Sequence, residues 1–442
     1  MRSAATAILA ASILTLAVFR IAHAHAMLLA SEPEANSHVN TSPERVRLVF
    51  SEAIEPTLAR VAIIDGSGAE TPLAASSDPR DVRAIIAATT PLAAGAYRVV
   101  WRVVSADGHP VAGSFTFTVG AAASKAPPVV AGDTLPGAAA WGPSIAGAPV
   151  VPAVLRGAAL GTLMAFTGLL FFLVTERMGG RDVDRTVGWL GAASVVLIVA
   201  HAVAWSVNAS PEHGLSGASL ATALDTRMGR MEAWRSGLAM LSLWAMWLAR
   251  RRALALFFAA AALAVSGASG HAGALHPSWS IPAKAIHLLA VAAWLGGLCW
   301  LVGLFKRRPG RAASDGAAEG ALFASARRVS AIALAAAIAV ALTGVAQSIA
   351  FVPSPRDLWH SAYGIVILLK TAGFAALVAF GAYHRYRVVP GIGTNADVGH
   401  RFRRTLRLEI LTMSLVVLLG GLLAYVPTPA VRTTAPASEA SQ

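Results

Sequence analysis

From residue 153 onward the chain is cut into apolar stretches of helix length separated by short polar breaks. A helix needs about 20 apolar residues to cross the hydrocarbon core of a bilayer. Eight stretches meet that need, near 153–175, 187–208, 230–249, 253–270, 282–304, 329–351, 362–383 and 408–426. The third and fourth are separated only by Arg250, Arg251 and Arg252, which predicts a tight helical hairpin. With 56% hydrophobic and 13% charged residues, the composition excludes a disordered chain and an ordinary water-soluble enzyme. A single cysteine, Cys299, excludes an intrachain disulfide.

The formal charge of +13 is unevenly spread. Residues 25–119 hold 7 Arg and no Lys against 10 acids, whereas residues 120–442 hold 27 basic residues against 13 acids. A nucleic-acid binder would carry its excess on the soluble part, so no nucleic-acid partner is expected. The basic residues instead gather in alternate loops, at Arg177 to Arg185, Arg250 to Arg252, Lys306 to Arg328 and Arg385 to Arg407. By the positive-inside rule those loops face the cytoplasm. Both mature ends then lie outside, in a multi-pass protein of a bacterial inner membrane.

The first 24 residues read as an export signal. Arg2 is followed by the apolar run 4–19 and by Ala22-His23-Ala24, an A-x-A cleavage site. Cleavage after Ala24 makes His25 the new N-terminus. Residues 25–119 then show period-2 patterning with β-branched and aromatic residues, and candidate strands at 46–50, 58–64, 82–87, 97–104 and 114–119. Turn residues separate them at the spacing of a small Ig-like Greek-key sandwich. Residues 120–152 are an Ala/Pro/Gly-rich linker, 153–426 the all-α polytopic membrane domain of eight transmembrane helices, and 427–442 a disordered tail.

An N-terminal histidine offers its α-amine and its ring Nδ1 to one metal. With the imidazole of His109 and the carboxylate of Asp107, His25 would form a tetragonal N,O set, which favours Cu(II). The α-amine has an ordinary pKa near ~8, so it releases its proton for a metal at little cost. Gly108 would allow the tight turn that brings Asp107 and His109 together. The same Asp107-Gly108-His109 reads equally as a plain hairpin turn with an exposed histidine. His38 reads as a surface residue, with an auxiliary ligand as the alternative.

Beyond spacing, His25 with Ser31-Glu32-Pro33, Leu48-Val49-Phe50-Ser51-Glu52 and Asp107-Gly108-His109-Pro110-Val111-Ala112-Gly113 resembles the periplasmic copper-binding protein family CopC. The helical part resembles the copper-resistance membrane family CopD, so the whole chain resembles a CopC–CopD fusion. The resemblance implies a cupredoxin-like sandwich that binds Cu(II) through His25, Asp107 and His109. It also implies copper transport, in the uptake direction, or copper resistance, with periplasmic copper chaperones as partners beside copper ions and the lipid bilayer. The first domain has only Met27, which argues against a methionine-rich Cu(I) site there.

Polar residues in the spans are costly unless they face the bundle interior or water. His201, His271, His276, His287 and His360 fall near the outer face. Soft methionine sulfur suits Cu(I), so His201, Met228, Met231 and His287 are candidate ligands of an intake site in the membrane. Each has a plainer reading: Glu232 and Arg235 as a structural ion pair, Lys284 snorkelling to the headgroups, the methionines as packing, His384 and His400 as ordinary loop residues. No P-loop or Cys-x-x-Cys marks an ATP-driven pump, and no catalytic constellation marks an enzyme. The competing class is an electron-transfer protein, with haem between histidines such as His201 and His287 or with cupric reductase activity. A polysaccharide-oxidising copper enzyme and a copper sensor or store without transport are further alternatives.

Overall fold

The computed structural model describes residues 28–106, 108, 110–120, 144–145, 148–176, 180–270, 277–306, 316–391, 396–426 and 428–429. The export signal, most of the linker and the end of the tail lie outside the described residues. The chain forms two compact units. One holds the residues up to Val150 with 203–230 and the chain from Tyr425; the other holds 151–202 and 231–424.

In the first unit nine strands make two sheets, beside a separate two-stranded pair at Ser144–Ile145 and Ala148–Pro149. The nine are β1 (Leu28–Glu32), β2 (His38–Val39), β3 (Arg45–Phe50), β4 (Ile54–Ile64), β5 (Glu70–Leu73), β6 (Ala75–Asp78), β7 (Asp81–Ala88), β8 (Gly95–Ser105) and β9 (Pro110–Val119). The sheet orders are β1-β3-β7-β6 and β2-β9-β8-β4-β5, antiparallel throughout except for the β2–β9 pair. The five strands expected from periodicity correspond to β3, β4, β7, β8 and β9. The four additional strands of these sheets have only two to five residues, as in the Ala-Ser-Ser-Asp of β6, too few for an alternation to show.

Side chains at every second position fill the space between the sheets. Val46, Leu48 and Phe50 from β3 meet Val99, Trp101 and Val103 from β8 and Phe115, Phe117 and Val119 from β9. Phe50 packs edge-to-face on Trp101, with ring centroids 5.0 Å apart. Tyr97 donates its hydroxyl back to the Ala93 carbonyl at 2.9 Å, which clamps the turn that leads into β8.

Strand β8 departs from the expectation of one wet face. Ala96, Arg98, Val100, Arg102 and Val104, on the side away from the sandwich core, are buried as well. Val104 and Leu58 pack with Trp205, Ala209, Ala223 and Met228 of the same unit. The segment 203–230 therefore covers the outer face of the sheet.

The second unit is helical. Counting α3 and the helix ends that belong to the first unit, the helices of the chain are α1 (Val150–Thr175), α2 (Arg181–Ala209), α3 (Gly217–Leu224), α4 (Arg227–Trp247), α5 (Arg252–Gly267), α6 (Pro277–Lys306), α7 (Gly316–Phe351), α8 (Asp357–His360), α9 (Ala362–Tyr383) and α10 (Ala396–Leu423). Six of them, α1, α2, α6, α7, α9 and α10, are long and apolar enough to cross a membrane. The expected count of eight is not reached on that criterion. Helix α4 carries Arg227, Arg230, Glu232 and Arg235 in its first half, and α5 has only 16 residues. The chain is thus a multi-pass membrane protein with six such helices among the described residues.

Helix α9 starts at Ser361, whose hydroxyl accepts the Gly364 N–H at 3.0 Å. This is the side-chain cap that a helix N-terminus calls for. Helices α1 and α6 meet at Gly168 and Gly296, where a Cβ on either glycine would overlap the backbone of the other helix. Small residues of this kind let membrane helices approach closely, so that dispersion rather than water expulsion holds them. A Gly168→Leu substitution is expected to force the two helices apart, at a cost of about 1–3 kcal/mol or more. Loss of the folded fraction in detergent, followed by heating, measures it.

Candidate functional site

Of the residues proposed to bind Cu(II), His25, Asp107 and His109 lie outside the described residues, as do Met27, His271 and His276. The backbone that frames the 105–110 turn is described. Ala106 N–H donates to the Ala53 carbonyl and Gly108 N–H to the Ser105 carbonyl, both at 2.8 Å. Gly108 has φ +94°, a conformation that side chains with a Cβ rarely adopt. The expected need for glycine at this turn is met.

The turn is not free in solvent. Trp205 donates its indole N–H to the Gly108 carbonyl at 2.8 Å. A Cβ on Gly108 would lie 2.9 Å from Cγ of Met228 and 3.1 Å from the Trp205 indole nitrogen. Met228 is buried and opens α4 directly against this backbone.

Charged groups hold the same docking. Arg102 is 2% exposed and donates from NH2 to the carbonyls of Asn208 and Ala209, the latter at 3.2 Å. Those carbonyls end α2, where unpaired oxygens and the helix dipole favour a cation. Glu212 lies 3.9 Å from Arg102 and forms a 2.7 Å ion pair with Arg60. At the other end of the segment, Glu55 accepts the Arg227 N–H at 3.0 Å and so caps the first turn of α4. One cation at a helix C-terminus and one anion at a helix N-terminus bind the loop from both sides.

Burial is the main influence on Glu55 and raises its pKa, while the Arg227 N–H and the charges of Arg230 and Arg227 pull the other way. Burial likewise lowers the pKa of Arg102, partly offset by Glu212.

In the second unit His201 is completely buried. Arg235 donates to its Nδ1 at 3.0 Å, and Glu232 lies 3.4 Å from the same nitrogen. Arg235 also pairs with Glu232 one turn away on α4. The structural ion pair expected of Glu232 and Arg235 is present, and the imidazole of His201 belongs to it. Met231 is half-buried on the same helix.

His287 sits elsewhere. Its Nδ1 hydrogen-bonds with the Thr343 hydroxyl at 2.9 Å, and it lines a cavity of about 370 Å³ together with Arg156, Lys284 and Lys370; His201 does not contribute to that lining. Among the described residues no three of His, Cys, Asp and Glu converge as a metal site. Lys284, expected to snorkel, instead donates to the Ser269 carbonyl at 2.6 Å.

A second cavity of about 200 Å³ is lined in part by Trp294, His384 and Glu409. His384 was expected to be an ordinary loop residue. It is buried, begins the π-helical turn His384–Val388, and lies 3.0 Å from Glu409 through Nδ1. Glu409 also accepts the Trp294 indole N–H at 3.1 Å. The sequence near His384 is rich in arginine, which hides a buried imidazole; its partner Glu409 is the signal, being an acid inside an apolar stretch.

Comparison with known proteins completes the picture. Residues 28–120 match the CopC domain family, and residues 323–423 match the family described as copper resistance protein D. The chain is 37% identical over 108 residues to copper resistance protein C of Escherichia coli, a match that spans 22% of this chain and 83% of that protein. It is a CopC–CopD fusion. Copper transport protein CutJ of Bacillus subtilis (strain 168) is 25% identical over 387 residues, 82% of this chain and 68% of that protein. The crystal structure of CopC from Methylosinus trichosporium OB3b is 36% identical and covers 22% of this chain and 93% of its own, with a TM-score of 0.21.

Two outcomes test the docking of the CopC domain on segment 203–230. Arg102→Met is expected to strand the α2 carbonyls, at a cost of roughly 1.5–3 kcal/mol for a bond to a charged group, read as faster proteolytic cleavage between residues 210 and 226. A raised pKa means that the stability contributed by Glu55 is complete below the ordinary carboxylate range, near ~4.3, and is lost as pH rises through its folded value. Glu55→Gln keeps the acceptor oxygen and is expected to flatten this loss, measured by the same cleavage rate across pH 4 to 8.

Proposed function

We propose that this fusion captures Cu(II) outside the cytoplasm through His25, Asp107 and His109, and hands copper to its membrane domain for passage inward. The observation that carries the reading is the contact at Gly108: the turn that bears Asp107 and His109 is held by Trp205 and rests on Met228. The backbone between two of the proposed N,O ligands thus rests on a methionine, whose thioether is a ligand suited to Cu(I). The names of the relatives, copper transport and copper resistance, support copper as the cargo.

In this reading export and cleavage after Ala24 expose the α-amine of His25. Eight helices cross the membrane, with α4 and α5 as the two that fall short on apolarity or length; α4 is admitted because Glu232 and Arg235 neutralise each other in the interior. The arginine-rich loops lie inside and the acidic CopC domain outside, where its net negative charge draws cations. The chain binds and conducts copper and performs no catalysis.

The deciding experiment separates capture from delivery. Cells that express His25→Ala are expected to accumulate less copper than cells with the intact chain at limiting copper; equal accumulation would remove the CopC domain from the route. Trp205→Phe keeps an aromatic ring at the contact and removes the N–H that holds the Gly108 carbonyl. It is expected to leave Cu(II) bound by the purified protein, seen by electron paramagnetic resonance, while copper accumulation falls severalfold.

A further inference from the structure

The 370 Å³ cavity has a charge pattern that a copper site would not have. Arg156, Lys284 and Lys370 line it with His287, and no carboxylate does so among the described residues. A bare copper cation would be repelled there. Most of the remaining lining is aliphatic or aromatic, including Leu160, Leu288, Val291 and Phe374. Its volume falls within the roughly 300–1,000 Å³ of small-molecule sites, which combine apolar walls with a few placed polar groups.

Two of the cations converge on one point. Gly270 has φ +72°, and a Cβ built on it would have as its nearest neighbours NH2 of Arg156 at 3.8 Å and Nζ of Lys284 at 3.9 Å. The space above Gly270 is therefore bounded by two positive groups and by no side chain of its own. Arg156 is 4% exposed. Its NH2 donates to the Ser269 hydroxyl at 2.7 Å, yet its Nε is buried without a hydrogen-bond partner. An orphaned guanidinium donor in an apolar setting is costly, and an anionic oxygen within reach removes that cost with a charge-assisted bond. Lys370 adds a third cation beside Gly420, 3.6 Å from the Cβ position there.

We propose that this cavity binds an amphiphile with an anionic oxygen headgroup, phosphate or carboxylate, seated over Gly270 between Arg156 and Lys284 with its acyl chain along the apolar wall. Both parts of the ligand follow from the lining: the headgroup neutralises cations that no carboxylate of the described lining offsets, and the chain occupies surface that gains nothing from water. Basic pockets between membrane helices hold anionic lipids on the same principle. The site is independent of copper, and its test contains none.

The purified full chain is stripped of lipid in neutral detergent and then exposed separately to phosphatidylglycerol, phosphatidylcholine, oleate and inorganic phosphate. Native mass spectrometry reads the bound mass and thermal unfolding reads the stabilisation. Phosphatidylglycerol or oleate is expected to bind at one per chain and raise the midpoint; which of them does so assigns a phosphate or a carboxylate headgroup. Equal stabilisation by phosphatidylcholine would refute an anion site, and full stabilisation by inorganic phosphate alone would refute the acyl part. The Lys284→Gln, Lys370→Gln double variant is expected to weaken binding at least tenfold, and Lys370→Arg to retain it. Should the double variant fail to fold, Gly270→Asp decides. Aspartate tolerates the left-handed backbone better than most residues and places its own carboxylate between the two cations. It is expected to abolish the response to lipid, and an undiminished response would overturn the proposal.

Discussion

Arg102 is the interaction on which the first unit turns. Its guanidinium has almost no contact with water, and the partners that compensate are backbone carbonyls at the end of α2, more than a hundred residues along the chain. Burying a charge is expensive unless hydrogen bonds replace its hydration. A helix terminus is a suitable replacement because its carbonyls have no partner inside the helix. The bond therefore satisfies two groups at once, and Glu212 supplies the opposite charge. With β8 sealed on its second face, Trp205 and Met228 are brought against the Gly108 turn. The Arg102 bonds and the Trp205 bond to the Gly108 carbonyl thus hold the same segment from two points.

The helical unit deals with its own charges in two ways. Where acid and base are close, they pair: Glu232 with Arg235 and His201, Glu409 with His384 and Trp294. Buried pairs of this kind contribute little net stability, since desolvation consumes most of the attraction, yet losing one partner is costly. They fix which helix faces meet. The cations around the larger cavity follow another course, because no described acid lines that cavity with them. A group of like charges facing apolar walls is unfavourable in isolation, and the proposed anionic amphiphile would relieve it.

Much of the fold was legible in the sequence, for identifiable reasons. Strands β3, β4, β7, β8 and β9 alternate strongly because one face of each is buried in a core built from both sheets. The apolar stretches marked the helices because a bilayer tolerates nothing else. The edge strands escaped notice since runs of two to five residues carry no periodic signal. The unbroken run Val99-Val100-Trp101-Arg102-Val103-Val104 did hold a clue: a strand that is apolar on both sides is covered on both sides. An arginine inside such a run marks a partner for its charge. The candidate intake ligands illustrate the limit. His201 and His287 share an outer location along the sequence, but one is engaged with Glu232 and Arg235 and the other lines a cavity with Lys284 and Lys370.

By itself the sequence determined the two-part architecture, the separation of an acidic domain from basic loops, and the family, because periodicity, charge distribution and the residues of the 107–113 segment are local properties of the chain. Tertiary structure alone decided which surface of the sandwich meets segment 203–230, that His384 is buried against Glu409, and that Arg156, Lys284 and Lys370 share a cavity with no acid among the described residues. Those facts depend on residues far apart in sequence whose charges must be neutralised where water is excluded, and no local pattern encodes which distant partner will do so.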